Sequence, residues 1–304
     1  MPATLPTWGL CTTLKAPADQ VLAFVAHHLA LGAARLWLHF DDPDDPAFDR
    51  VAAIPGVTAI RCDDDYWQAL LGRRPARHQL RQSRNVERVH ARGELAWLGH
   101  IDVDEFLWPA RPVAEVLAAT DPASPVLRMA PCEALHDPRL PDDIFTARQF
   151  RRPLRGPDKA ALRQVALGDY ADLLPNGVLS HYVGKCFFRS GVPGLQPRIH
   201  SAEIDGKKLQ GGPFSPEIAL LHFHAQDPAA WRERLAFRRS LGAYSFNMPL
   251  MLWLCAASEA EIDAFYATVQ TARPAALAAL LAAGALVEAD LNLRDRIRAL
   301  EARR

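Results

Sequence analysis

Apolar residues recur along the first hundred positions in two alternating rhythms. GLCTTLK at 9–15 alternates apolar and polar positions, a period of two that predicts a strand. Val21, Leu22, Val25, His28, Leu29 and Gly32 then follow at helical spacing. Pro17 suits the first turn of that helix, where its missing N–H leaves nothing unpaired, and Gly32 is the expected stop. RLWLHF at 35–40 and Val57–Arg61 predict two more strands, with a short helix over 48–53 between them. Residues 66–92 predict mainly helix, broken near Pro75, and WLGHIDV at 97–103 predicts another strand. This alternation predicts βαβ units, a mostly parallel sheet flanked by helices and an α/β fold class. Ligands in such sheets sit at the carboxyl ends of the strands.

Further along, VLRMA at 126–130, KCFFR at 185–189 and IALLHFH at 218–224 read as strands, with a turn at Gly211-Gly212-Pro213 before the last. Residues 131–177 are rich in Pro, Arg and Asp and read as loops with short elements, where substrate contacts often sit. From Pro228 onward the spacing is helical, with Asp227-Pro228 as cap and first turn.

Composition narrows the class. Of 304 residues, 49% are hydrophobic and 23% charged, a globular mixture. Basic and acidic residues number 35 each, so a polyanion such as nucleic acid is not the expected partner. No run of 18 apolar residues predicts a membrane span, and the N-terminus lacks a secretory pattern. Five scattered cysteines without a CxxC pair read as buried reduced thiols, and the expected compartment is cytoplasmic.

The neutral total hides segregation. DDPDDPAFD at 41–49 holds five Asp, and Asp63–Asp65 follow. Between Arg73 and Arg92 there are seven Arg and one acid, Glu87. Arg77, Arg81, Arg84, Arg88 and Arg92 fall on one helix side, either as a solvated face or as an anion site, to which the planar guanidinium is suited. The sharpest feature is WLGHIDVDEFL, where Asp102, Asp104 and Glu105 end an apolar strand. Unpaired buried carboxylates are costly, so solvent, a base or a hard divalent cation (Mg²⁺ or Mn²⁺) has to meet them.

WLGHIDVDEFLWP resembles the metal-binding segment of family 2-like glycosyltransferases with the GT-A fold, in the subgroup marked by "iDvDEFl". FVAHHLALGAARLWLHFDDPDDP is similar to that subgroup's early helix, strand and acidic loop; KCFFR with Ile199-His200, and LLHFHAQDPAAWRERL, are similar to two later segments. The likeness runs from about Leu10 to about Arg239. It implies a GT-A-like domain over 1–240 with a helical extension over 241–304 packed on it. It also implies a Mn²⁺- or Mg²⁺-dependent transfer, with inversion, from a nucleotide-diphosphate sugar to a carbohydrate or lipid-linked acceptor. On this resemblance Asp102 meets the ribose or a metal-bound water, Asp104 ligates the metal, and His222 is a third metal ligand or phosphate contact. Lys185 lies near the diphosphate, Asp41 and Asp42 line the nucleoside pocket, and Arg84 is the helix arginine assigned to the donor. Glu133, Asp137, Asp142 and Asp143 are candidates for the general base, and Glu105 supports the metal or serves as base. The chain departs from the pattern at Lys15-Ala16-Pro17, where the family has Lys-Asn-Glu, so Lys15 is the donor contact retained there. It also carries Pro43 and Pro46 in the acidic loop, where Ser and Gly are usual.

Two other classes stay open: a non-catalytic nucleotide- or glycan-binding relative, and a metal-dependent nucleotidyl or phosphoryl transferase. GxxxxGK[ST] and GxGxxG are both absent, which disfavours P-loop and dinucleotide enzymes. The tail arginines Arg294, Arg296, Arg298, Arg303 and Arg304 alternate with acids and read as a solvated helix, with peripheral membrane contact as the alternative.

Overall fold

A computed structural model describes residues 4–140, 145–209, 212–240 and 243–302. In chain order the elements are β1 (Trp8–Leu14), α1 (Ala18–Ala30), β2 (Arg35–Phe40), α2 (Ala47–Ala52), β3 (Val57–Arg61), α3 (Asp64–Leu71), α4 (His78–His90), β4 (Trp97–His100), β5 (Glu105–Pro109), α5 (Val113–Ala118) and β6 (Val126–Ala134). There follow β7 (Gln149–Arg151), α6 (Ala160–Leu167), β8 (Lys185–Arg189), β9 (Leu195–Pro197), β10 (Ala202–Ile204), β11 (Lys207–Lys208) and β12 (Phe214–His222). The chain ends with α7 (Pro228–Glu233), α8 (Leu235–Ser240), α9 (Met248–Ala256), α10 (Glu259–Val269), α11 (Pro274–Ala282), β13 (Leu286–Glu288) and α12 (Leu293–Glu301).

Two compact units result, one of residues 1–130, 184–220 and 291–304, the other of 131–183 and 221–290. This division does not follow the expected boundary at 240/241. Each unit is assembled from separate stretches of chain, whereas periodicity segments the chain only linearly.

The first unit has the expected α/β architecture. Strands β3, β2, β1 and β4 lie side by side and parallel, from Leu36↔Val57 through Gly9↔Arg35 to Trp8↔Trp97. Beyond β4 the pairing turns antiparallel: β8 pairs with β4, and the start of β6 pairs with β8. Both 0% exposed, Leu36 and Leu38 of β2 belong to the core, as do Val21, Phe24 and Val25 of α1. α12 packs against α1, and its Arg298 pairs with Asp295 at 3.2 Å. Arg303 and Arg304 lie outside the described residues. No helix among the described residues is long and apolar enough to cross a membrane.

Four of the five cysteines are buried, as expected, but Cys255 on α9 is exposed. Helix α9 is apolar on all sides, so its outward positions also carry apolar residues. The turn expected at Gly211-Gly212-Pro213 falls partly outside the described residues.

Two local devices position the strand ends. His27 and His28 of α1 grip one residue of β5: His27 Nε2 donates to the Leu107 carbonyl at 2.8 Å, and His28 Nε2 accepts from the Leu107 N–H at 3.3 Å. Burial holds both imidazoles neutral, that of His27 at about 4. Gly184 precedes β8 with φ +70°, and a Cβ there would lie 2.1 Å from the Met129 carbonyl oxygen. Only glycine fits that close approach at positive φ.

The second unit pairs the end of β6 with β7, and β7 with β13, all antiparallel. Its helices enclose a core that includes Trp231, Leu254, Phe265 and Leu280. Asp227 caps α7 as expected, its carboxylate accepting from the Ala230 N–H at 2.9 Å. Ser258 and Glu261 form a reciprocal capping box on α10. The stretch expected to be mostly loop contains β7 and α6, whose short lengths left little periodicity to read.

Gly184→Ala is expected to lower stability by about 2–4 kcal/mol, from a left-handed backbone and a steric clash. Gly191, with φ +75° and nothing within 4 Å of a Cβ, supplies the control. Gly191→Ala is expected to cost only about 1 kcal/mol. Urea midpoints of the two variants test this difference.

Candidate carboxylate site at the strand ends

Parallel pairing places the ends of β1, β2, β3 and β4 along one edge of the first unit. Lys15 follows β1, Asp41 and Asp42 follow β2, Cys62 follows β3, and the acidic motif follows β4. Because β8 runs antiparallel to β4 with His100 opposite Cys186, its first residue, Lys185, reaches the same edge.

The strand expected over 97–103 stops at His100. Asp102 to Glu105 form a turn, in which the Glu105 N–H donates to the Asp102 carbonyl at 3.0 Å. The Glu105 carboxylate answers by accepting from the Asp102 N–H at 2.7 Å. Aspartate suits the first position of such a turn. Asp104 sits at its third position, half-buried. Glu105 begins β5 and is fully buried.

Asp102 is held by donors from two other elements. Lys185 Nζ donates to Oδ2 at 2.8 Å, and Gln82 Nε2, from α4, donates to Oδ1 at 2.7 Å. Lys185 Nζ also lies 3.7 Å from Glu105 Oε2. The Lys185 side chain is 0% exposed. Burial by itself lowers its pKa, but Asp102, Glu105 and Asp104 outweigh that and raise it, so the ammonium stays charged. One ammonium faces three carboxylates in four residues. Asp102 and Asp104 carry carboxylate oxygens of the kind a hard divalent cation takes.

At the end of β2, Asp41 is not an open acceptor. Arg81 forks it, Nε to Oδ1 at 2.7 Å and Nη2 to Oδ2 at 2.6 Å, while Arg74 Nη2 lies 3.1 Å from Oδ1 and bonds the Asp41 carbonyl at 2.7 Å. Burial would raise the Asp41 pKa, but His78, Arg81 and Arg74 pull it well below the ordinary value of 3.8. Asp42 pairs with Lys15 at 3.0 Å, which lowers its pKa as well.

The arginines of α4 disperse among separate partners and do not converge on one anion site. Arg84, the one assigned to the donor, pairs with Glu87 at 2.7 Å on an exposed face. Arg88 lies over the Tyr66 ring, and Arg92 is 3.6 Å from Glu94. Arg81 is the member that reaches the strand-end edge. His200 Nδ1 hydrogen-bonds the Gly184 carbonyl at 2.8 Å, which ties it to the turn before Lys185.

Sequence reasoning missed Gln82 and Asn85. Asn85 Nδ2 donates to Thr13 Oγ1 at 2.8 Å, and its Oδ1 accepts from the Tyr66 hydroxyl at 2.7 Å. A signal was present: Gln82, Asn85, Val86, Val89 and His90 form the buried stripe of α4, and two of its five members are amides. Polar groups on a buried stripe need partners, and here the partners are the strand-end residues.

The remaining candidates lie in the second unit. Glu133 is 1% exposed and pairs with Arg151 at 2.6 Å. Its oxygens also accept from the Leu179 and Ser180 N–H groups at 3.1 and 2.6 Å. Those three donors make Glu133 an anchor within the second unit. Asp137 is clasped by Arg139 through Nε at 2.9 Å and Nη2 at 2.7 Å. Arg139 lowers its pKa, which makes it a weaker base. Asp142 and Asp143 lie outside the described residues. His222 ends β12, its ring centroid 4.9 Å from that of His181 and 5.3 Å from that of His224. His224 packs beside Tyr244, whose hydroxyl lies 3.1 Å from Nε2.

No family model and no curated protein matches the chain. Among solved structures, it is similar to a CMP:2-keto-3-deoxy-manno-octonic acid synthetase complexed with CTP, at 14% identity and TM-score 0.28, covering 98% of this chain and 99% of that one. It is also similar to S. aureus TarS 1–349, at 10% identity and TM-score 0.29, covering 86% and 70%. Similarity at this level carries no argument about function.

Two predictions follow from the ion pairs. Arg151→Leu is expected to cost about 3–5 kcal/mol, because it leaves Glu133 buried without its counter-ion. Glu133→Leu with Arg151→Leu is expected to lose less than the single Arg151 variant, and denaturant unfolding of the cycle measures that coupling. Asp41 has a folded pKa below its unfolded one, so its pairs stabilise the fold above the unfolded value and lose that effect as pH falls. The stability gap between wild type and Arg81→Gln is therefore expected to be full at about pH 6–7 and to shrink below 3.8. Urea titrations across that range report it.

Proposed function

We propose that the protein is a metal-dependent glycosyltransferase that takes a sugar from a nucleotide-diphosphate donor to a carbohydrate or lipid-linked acceptor. The observation that carries the reading is the 102–105 turn, with three carboxylates at the carboxyl edge of four parallel strands and one buried lysine beside them. The resemblance of WLGHIDVDEFLWP to the subgroup's metal segment supports it from the sequence side.

In this reading Asp104 ligates Mn²⁺ or Mg²⁺, Asp102 contacts the ribose or the metal's water, and Glu105 fixes the turn from beneath. His222 is proposed as a further ligand on the resemblance alone. A divalent cation bound there would neutralise the diphosphate leaving group as its charge develops. Lys185 is buried and engaged by Asp102 and Glu105, so the attraction of an anionic donor would fall to the bound cation. Lys15 and Asp42 stand at the mouth of the nucleoside side, paired with each other and both solvent-accessible. Asp41, engaged by Arg74 and Arg81, shapes the acidic loop and does not read the base. Donor selection then falls to neighbouring groups such as Lys15.

The experiment is nucleotide release from a panel of nucleotide sugars with Mn²⁺, with circular dichroism as the control for folding. Asp104→Ala is expected to reduce turnover by about a hundredfold or more while the fold persists. His222→Ala is expected to weaken Mn²⁺ binding. Tight nucleotide binding without turnover on any acceptor favours the binding-only relative. Nucleotide binding that needs no metal and is unchanged in both variants overturns the metal assignment.

A further inference from the structure

Gln82 sits where packing alone would choose an apolar residue. It is 5% exposed, on the same α4 stripe as Val86 and Val89, yet its amide Nε2 lies 2.7 Å from Asp102 Oδ1. With Lys185 Nζ 2.8 Å from Oδ2, each oxygen of Asp102 has a donor from a different element, α4 on one side and β8 on the other. Two donors on the two oxygens fix the plane of a carboxylate as well as its position.

The anchor of Gln82 is itself rigid. The preceding residue, Arg81, forks Asp41 and also donates to the Pro75 and Ala76 carbonyls at 2.8 and 3.0 Å. Three residues on, Asn85 joins Thr13 to Tyr66. Helix α4 is therefore pinned to the ends of β1 and β2 on either side of Gln82. The choice of an amide also matters. A second lysine or an arginine would add positive charge and cancel more of the negative charge that attracts a cation. An amide orients Asp102 and leaves that charge in place.

We propose that Gln82 is a positioning residue: it sets the Asp102 carboxylate and, through it, the 102–105 turn that carries Asp104. The consequence for metal binding rests on the function proposed above; the hold on the turn does not.

Hydrogen–deuterium exchange resolved to peptides over 98–107, together with Mn²⁺ titration by electron paramagnetic resonance, tests both parts. In Gln82→Leu the lost hydrogen bond is expected to speed exchange in the 102–105 turn by about five- to tenfold, with the rest of α4 unchanged. Gln82→Glu keeps the shape but sets a carboxylate against Asp102, and is expected to loosen the turn at least as much. Mn²⁺ affinity is expected to fall by about the same factor in Gln82→Leu. Should that variant fold poorly, Gln82→Met, of similar length and volume, is read the same way. Unchanged turn exchange in the variants overturns the positioning role. A looser turn with unchanged Mn²⁺ affinity overturns its link to the metal. If the wild-type protein binds no Mn²⁺, the metal reading fails, while the exchange measurement still decides the role of Gln82.

Discussion

Three carboxylates at the end of an apolar strand require positive charge within a few ångströms, and Lys185 supplies it. The ammonium is wholly buried, which would be costly without Asp102 and Glu105 beside it. Neither side of this arrangement is tolerable without the other. The need explains the local architecture: β8 has to run antiparallel to β4 so that its first residue meets the motif, and Gly184 has to turn tightly against Met129 to start the strand there. His200 braces the same turn through the Gly184 carbonyl.

The same edge shows how polar groups are accommodated over a hydrophobic sheet. Helix α4 covers β1 with valines along part of its stripe and with Gln82 and Asn85 where the strands end. Those amides meet Asp102, Thr13 and Tyr66, so the change from core to site occurs within one helix face. Elsewhere on the helix Arg84 pairs with Glu87 and Arg88 lies over the Tyr66 ring. Arg81 turns to the edge, and there it closes on Asp41.

The second unit solves a different problem. The buried pair of Glu133 and Arg151 ties β6 to β7, and the Leu179 and Ser180 amides complete the carboxylate's coordination. The His224, Tyr244 and Trp231 contacts do the same for the chain after β12. Polar residues there are consumed in holding short elements together, as expected where strands of three residues contribute little ladder of their own.

The sequence by itself determined the elements of the first hundred residues. The strand at Arg35–Phe40, the helix ending before Gly32 and the break near Pro75 are local consequences of side-chain period and backbone chemistry. It also marked Asp102, Asp104 and Glu105, because carboxylates after an apolar run are anomalous wherever the chain goes. Tertiary structure alone decided which partners those residues received. Gln82 and Lys185 lie 20 positions before and 83 positions after Asp102, and no local periodicity links them. It likewise decided that Arg81 and not Arg84 reaches the edge, that Glu133 is an anchor, and that the compact units draw on separated stretches of chain. Period and propensity act over a few residues, whereas charge compensation and burial depend on which distant strands become neighbours.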